Sequence, residues 1–294
     1  MDIATSANGK RALVGWFGVL LFFLYAPLLI LLVFSFNDNN LPVFPLRGFT
    51  TSAYEQFLAN AELRGSVVTS AKIAAISSVG AVILGLLAAI VLVRRHFFGR
   101  AALSALLLSP LVVPYIALAI GLLIFFNEAA LPLGIKSVVM GHIVLSIPYT
   151  ILVIVPRLER LDVRLEEAAR DLGAGALQTF RLITFPLLLP ALVSAFLVAF
   201  VLSFDEIVVA SFIAGDTTTF PLYLFSQLRF PTLLPQVIAV AVIVMAASAL
   251  ILIAAEVARR IIERRLGTEL AEPLAIRPPA AASPPARSSR AAAT

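Results

Sequence analysis

Few side chains in this sequence could do chemistry. The most conspicuous are two neighbouring carboxylates, Asp205 and Glu206, set in the apolar run Leu202-Ser-Phe-Asp-Glu-Ile-Val-Val. Neighbours on a helix point about 100° apart, so the two cannot easily flank one bond as general acid and base. His96 and His142 are the only histidines and lie too far apart to suggest a metal cluster. Cysteine is absent, which removes thiol nucleophiles, disulfides and iron–sulfur ligands. No G-x-x-x-x-G-K-[ST] phosphate loop occurs, so any ATP that drives this protein is bound by another chain. No catalytic constellation is present, and the chain is expected to bind no cofactor or metal and to be no enzyme. The chemistry left is electrostatic. A carboxylate near mid-bilayer costs roughly 2.5–3.5 kcal/mol on insertion scales, so such a residue faces a cavity or a partner. Asp205 and Glu206 therefore either line a solute path or brace a neighbouring helix or chain. Tyr115, Tyr149 and Phe204 are packing residues or aromatic faces for an amine cation. His142 is expected to hydrogen-bond a neighbouring helix, with a place on the solute path as the alternative.

The elements that must position these residues are membrane spans. The chain has 294 residues, 61% hydrophobic and only 13% charged, with a mean hydropathy of +1.01. A soluble domain carries about 25% charged residues, so the composition is that of an all-α integral membrane protein. Apolar runs give six spans, at about 12–36, 66–93, 101–126, 137–155, 187–213 and 233–257. The first is too long for a signal-peptide core and shows no small-residue cleavage site, so it is read as retained. Pro27 is expected to kink it, and Pro110 and Pro114 interrupt the third. Lys72 can snorkel from the second span. Between the first two spans, Ser52-Ala-Tyr-Glu55 fits a capping box, and Tyr54, Phe57 and Leu58 give the following short helix one apolar face. The domain organisation is a polar N-terminus at 1–11, a six-span unit at 12–265 and a tail at 266–294. That tail is rich in Ala, Pro, Ser and Arg and is expected to be disordered.

Six spans put both termini on one side. That side carries seventeen of the lysines and arginines, against Arg47, Arg64, Lys136 and Arg229 on the other. The excess predicts that both termini are cytoplasmic. The net charge of +5 is then topological and calls for no nucleic acid.

One cytoplasmic loop stands out, within 157–190. From Asp162 to Leu172 it is rich in Ala, Leu, Glu and Arg, which favour helix. Gly173 and Gly175 supply a stop. Ala176, Phe180 and Ile183 recur at helical spacing, so a second short helix follows. Ala168 and Ala169 would let another protein approach closely, and Glu167 offers a carboxylate to a basic partner; a solvated linker is the alternative.

The spacing resembles a known pattern. Glu167-Ala168-Ala169, three residues, Gly173, nine residues and Ile183-Thr184-Phe185-Pro186 resemble the EAA loop of ABC-importer permeases, with Phe185 where that pattern has Leu. The resemblance runs from roughly Leu31 to Arg260. It implies a type I importer (MetI-like) permease fold, with a five-helix core preceded here by one extra span. It further implies that Glu167, Ala168, Ala169, Leu172 and Gly173 form a coupling helix docking on a cytoplasmic ATPase dimer, which holds the ATP and Mg²⁺.

A narrower resemblance lies in Ser203-Phe-Asp-Glu-Ile-Val-Val-Ala-Ser-Phe with its following Thr-Phe-Pro-Leu, and in Gly141-His142 through Pro148-Tyr149 and Leu161-Asp162. These are similar to the spermidine/putrescine-type permeases. The resemblance implies a bacterial inner-membrane importer with two permease subunits, usually non-identical, and a periplasmic solute-binding protein. It also implies a polyamine as solute and assigns Asp205, Glu206 and Tyr115 to its pathway. Tyr115 is a departure, because polyamine permeases often carry an acid directly after the corresponding second proline. A quaternary amine, an amino-acid derivative and an iron chelate stay open as alternative solutes, and a non-transporting membrane scaffold as an alternative class.

Overall fold

The computed structural model describes residues 7–39, 42–230 and 233–271. Among these residues the secondary structure is helical, apart from one isolated antiparallel bridge between Asn37 and Phe49. The helices are α1 (Ala7–Phe34), α2 (Ser52–Ala59), α3 (Ala61–Arg94), α4 (Arg100–Leu108), α5 (Tyr115–Glu128) and α6 (Ile135–Glu159). There follow α7 (Val163–Asp171), α8 (Ala176–Thr179), α9 (Phe185–Phe204), α10 (Val208–Ile213), α11 (Phe220–Gln227) and α12 (Leu234–Ala271).

Five stretches are long and apolar enough to cross a membrane: Gly9–Phe34, Ala61–Arg94, Ile135–Glu159, Ala176–Phe204 and Leu234–Ile251. The expected third span is different. It consists of Arg100–Leu111 and Tyr115–Glu128, bent by 106° at the intervening break. Pro114 has no N–H to give and pushes Val113 away from helical backbone, so the ladder stops there rather than kinking. Counting this bent pair as one crossing gives the six spans expected from hydropathy.

The expected fifth span, 187–213, is also divided. Continuous helix runs from Ala176 to Phe204, and a second piece, α10, begins only at Val208. The short helix expected after the glycines is thus the base of this span, joined to it through a π turn at Phe180–Thr184. At α2 the capping box does not form: Thr51, not Ser52, precedes the first turn, and its hydroxyl meets Glu55 Oε1 at 3.2 Å. Of the three expected apolar-face residues, Tyr54 and Phe57 are half-buried and Leu58 is exposed. α12 continues to Ala271, past the expected start of the disordered tail at 266. The remainder of that tail, 272–294, and residues 1–6 of the N-terminus lie outside the described residues.

The centre of the molecule is the trio α3, α6 and α9. Lipid tails are as apolar as leucine, so helix association in a bilayer rests on close packing of small residues rather than on hydrophobic transfer. α3 meets this need with Ala81, Gly85 and Ala89, spaced by four and all buried. Leu188, Leu192 and Ala195 of α9 and Ile154 and Leu158 of α6 pack on the same face. A second cluster joins α5, α6 and α10 through Phe126, Val138, Val209 and Ile213. Ser137 fixes the end of α10 to the start of α6 by donating to the Ile213 carbonyl at 2.7 Å. A third joins α3, α11 and α12 through Leu63, Tyr223 and Val240. α1 lies at the edge against α12 and exposes Trp16, Phe22 and Phe23 on its sides.

Candidate functional site: a cavity at two helix breaks

The two breaks meet at one cavity of about 290 Å³. The start of α5 brings Tyr115, α6 brings His142, Ser146 and Tyr149, and the α9–α10 break brings Asp205 and Glu206. Tyr115 and Tyr149, which face each other from α5 and α6, join hydroxyl to hydroxyl at 3.2 Å. Phe204 does not share their setting. It stacks on Phe200, with ring centroids 6.1 Å apart, and meets Phe220 at 5.8 Å, so it is a packing residue.

The break gives the two carboxylates different settings in that cavity. Asp205 ends α9 and its side chain is open to the cavity side. Glu206 is only 8% exposed. Its Oε1 accepts from Val209 N at 2.8 Å and its Oε2 from Ala210 N at 2.9 Å. A helix start leaves its first amides without carbonyl partners, and in a membrane no water replaces them. Glu206 supplies the missing acceptors for α10. Its Oε2 also lies 3.3 Å from His142 Nε2.

A polar chain continues behind it. His142 Nδ1 meets Ser203 Oγ at 2.7 Å, and Ser203 Oγ meets Ser77 Oγ at 2.8 Å. Ser77 donates to the Ile73 carbonyl at 2.7 Å. One buried line of side chains thus connects α3, α9 and α6 to the cap of α10. His142 does hydrogen-bond a neighbouring helix. Ser77 and Ser203 escaped sequence reasoning, because a serine in a span is compatible with any face. The cavity lining then combines an open carboxylate with two tyrosines, residue types that attract an ammonium group.

The second candidate site is the loop at 162–184. Asp162 caps α7, its side chain accepting from Arg164 N at 3.0 Å. Gly173 has φ +87°, the left-handed backbone that glycine adopts without penalty. Gly173 N donates to the Arg170 carbonyl at 2.8 Å and Ala174 N to the Ala169 carbonyl at 3.0 Å. Those two bonds form a Schellman stop. Glu167, Ala168 and Gly173 are exposed and Ala169 half-buried, while Leu172 and Leu177 are 90% and 79% exposed. Both leucines thus stand open to the surroundings on a charged loop. Glu166 was not singled out from sequence; it turns inward, with its Oε1 3.1 Å from both Arg94 Nη2 and Thr184 Oγ1.

Residues 81–268 match the family described as binding-protein-dependent transport system inner membrane component. The chain is 37% identical over 233 residues to the putrescine transport system permease protein PotI of Escherichia coli (strain K12), covering 76% of this chain and 82% of that protein. It is 34% identical over 253 residues to the spermidine/putrescine transport system permease protein PotC of the same organism, covering 86% and 95%. Among solved structures, it superposes with a TM-score of 0.65 on a bacterial ABC transporter involved in the import of the acidic polysaccharide alginate, at 17% identity over 86% of this chain and 98% of that one. An inward-facing form of the MetNI methionine ABC transporter gives a TM-score of 0.56 at 18% identity, covering 68% and 95%. At these identities the structural likeness is one of fold.

Proposed function

The chain belongs to the family of binding-protein-dependent transport system inner membrane components, and on that premise we propose that it forms one wall of the route by which an ATP-driven importer carries a polyamine cation inward. The observation that carries the solute is the cavity of Tyr115, Tyr149 and Asp205, whose lining combines an open carboxylate with two tyrosines. The putrescine and spermidine/putrescine permeases at 37% and 34% identity support the same reading.

In this proposal both termini and α7 are cytoplasmic. A separate ATPase dimer binds ATP and Mg²⁺ and receives α7 in a groove, gripping Glu167, Ala168, Ala169, Leu172 and Gly173. A second permease subunit, not identical to this one, faces the cavity and completes the route. A periplasmic binding protein delivers the solute from the other side. When the ATPase closes, α7 moves and the spans tilt as rigid bodies, since packed helices shift between discrete arrangements rather than deforming continuously. Asp205 attracts the ammonium group into the low-dielectric route, and Tyr115 and Tyr149 hold its alkyl chain and cationic end.

The test is reconstitution of the whole importer, with its ATPase, second permease and binding protein, in proteoliposomes containing ATP. Saturable, ATP-dependent uptake of labelled putrescine or spermidine is expected. ATP-dependent uptake of a zwitterionic or neutral solute with none of either polyamine would overturn the solute. Uptake indifferent to ATP would overturn the importer.

A further inference from the structure

Glu166 connects more of the molecule than any other polar side chain in the loop. Its side chain is only 12% exposed, whereas Leu172 and Leu177 on the same loop stand open. Oε1 accepts from Arg94, the last residue of α3, and from Thr184, the last residue of the π turn, both at 3.1 Å. Oε2 lies 3.8 Å from Arg170, one turn along α7. One carboxylate thus joins α7 to the ends of two of the three central spans.

Its place on α9 matters most. The π turn carries an extra residue in its loop of hydrogen bonds, a geometry less well packed than α-helix. Pro186 follows at once and Pro190 after it, and neither can donate to the ladder. The base of α9 is therefore where this helix bends most easily. Thr184 sits at that point, and its hydroxyl is held by Glu166. Without the tie, a push on α7 would be absorbed by the π turn and the prolines rather than passed to the span.

We propose that Glu166 is a positioning residue that locks α7 to both α3 and α9, so that a displacement of α7 reaches the two spans together. The inference rests on the reading of α7 as the ATPase-docking helix, but one arm of its test does not.

That arm measures the tie itself. The chain has no cysteine, so Arg164→Cys with His96→Cys gives spin labels at two defined exposed sites, on α7 and just past α3. In the full chain in nanodiscs, the distance distribution between them should be narrow, and broad in Glu166→Ala. Superimposable distributions overturn the proposal whether or not an ATPase docks here. The second arm uses the reconstituted importer and compares solute imported per ATP hydrolysed. Glu166→Ala and Thr184→Val should each lower that ratio by at least about fivefold, the factor one hydrogen bond is worth, while the ATPase still co-purifies. Thr184→Ser, which keeps the donor, should restore it. An unchanged ratio in assembled Glu166→Ala complex overturns the inference and leaves the importer reading standing. Loss of ATPase association in that variant overturns it too, because the residue would then act in docking. If wild type shows no ATP-linked uptake, the importer reading fails, and the label distances alone decide the tie.

Discussion

Gly85 of α3 and Thr150 of α6 meet with no space for another carbon. A Cβ at Gly85 would overlap the Thr150 hydroxyl and stand 2.9 Å from the Thr150 Cβ. That hydroxyl is itself committed, its one proton shared between the Ile147 carbonyl at 2.7 Å and, across the interface, the Ala81 carbonyl at 3.1 Å. The α3–α6 crossing is thus set by a missing side chain on one helix and a bridging hydroxyl on the other. Gly85→Ala should destabilise the protein by about 1–3 kcal/mol, the usual cost of overpacking. Thermal unfolding in detergent reads the loss. Adding Thr150→Ala should recover only part of it, since the Cβ remains.

Gly173→Val should separate docking from folding. The position has φ +87° and open space around it, so the cost is backbone strain, about 1–2 kcal/mol for a residue with a Cβ in left-handed conformation. The loop then re-forms with Leu172 misdirected. Insertion should survive with a drop of only a few degrees in melting temperature, while the ATPase no longer co-purifies or hydrolysis continues without uptake. Normal uptake with stable ATPase association would remove α7 from the coupling role.

Asp205→Asn and Glu206→Gln should fail in different assays. Asp205 is open to the cavity side, so its loss should leave assembly and thermal stability intact. It should weaken capture of a cationic solute by about 2 kcal/mol, the value of a hydrogen bond to a charged group, with much less effect on a neutral one. Glu206→Gln replaces one of two acceptors for Val209 N and Ala210 N by an amide that cannot accept. About 2 kcal/mol of stability should go with it. Competition binding and thermal melts on both variants check the division; equal stability for the two would contradict it.

Asn60→Ala should unfasten the junction of α3, α11 and α12. Its Oδ1 caps α3 by accepting from Leu63 N at 3.0 Å, and its Nδ2 donates to Tyr223 at 3.0 Å and Gln236 at 3.2 Å. A lost cap alone costs about 0.5–2 kcal/mol. Hydrogen exchange should speed up at the start of α3 and in α11, with little change around Ala81.

Hydropathy located the spans because a bilayer demands long apolar helices whatever their contacts. Gly173 was legible because a left-handed stop has a residue preference of its own. The α9–α10 break was not, since the run around Asp205 and Glu206 is as apolar as any helix. Its one cue was an acid ahead of Val209 and Ala210, which reads as readily as a pathway charge as it does a cap. Pro110 and Pro114 announced an interruption but not a 106° turn, which depends on what α5 packs against. Glu166 and its partners Arg94 and Thr184 lie far apart in the chain, and a contact made by folding leaves no local trace. The small-residue spacing of Ala81, Gly85 and Ala89 was present in the sequence and does announce a close helix crossing.

The division between Asp205 and Glu206 bears on how many charges a cargo can have matched. Both oxygens of Glu206 are taken up by the Val209 and Ala210 amides, so it is not free to pair directly with a cargo. The wall therefore presents one free carboxylate where the sequence writes two. Under the proposed function, a diamine lying in the route finds a counterion here for one end only. Its other end has to be met by the facing subunit, and the valence of the cargo is then read across the subunit boundary, by neither half alone.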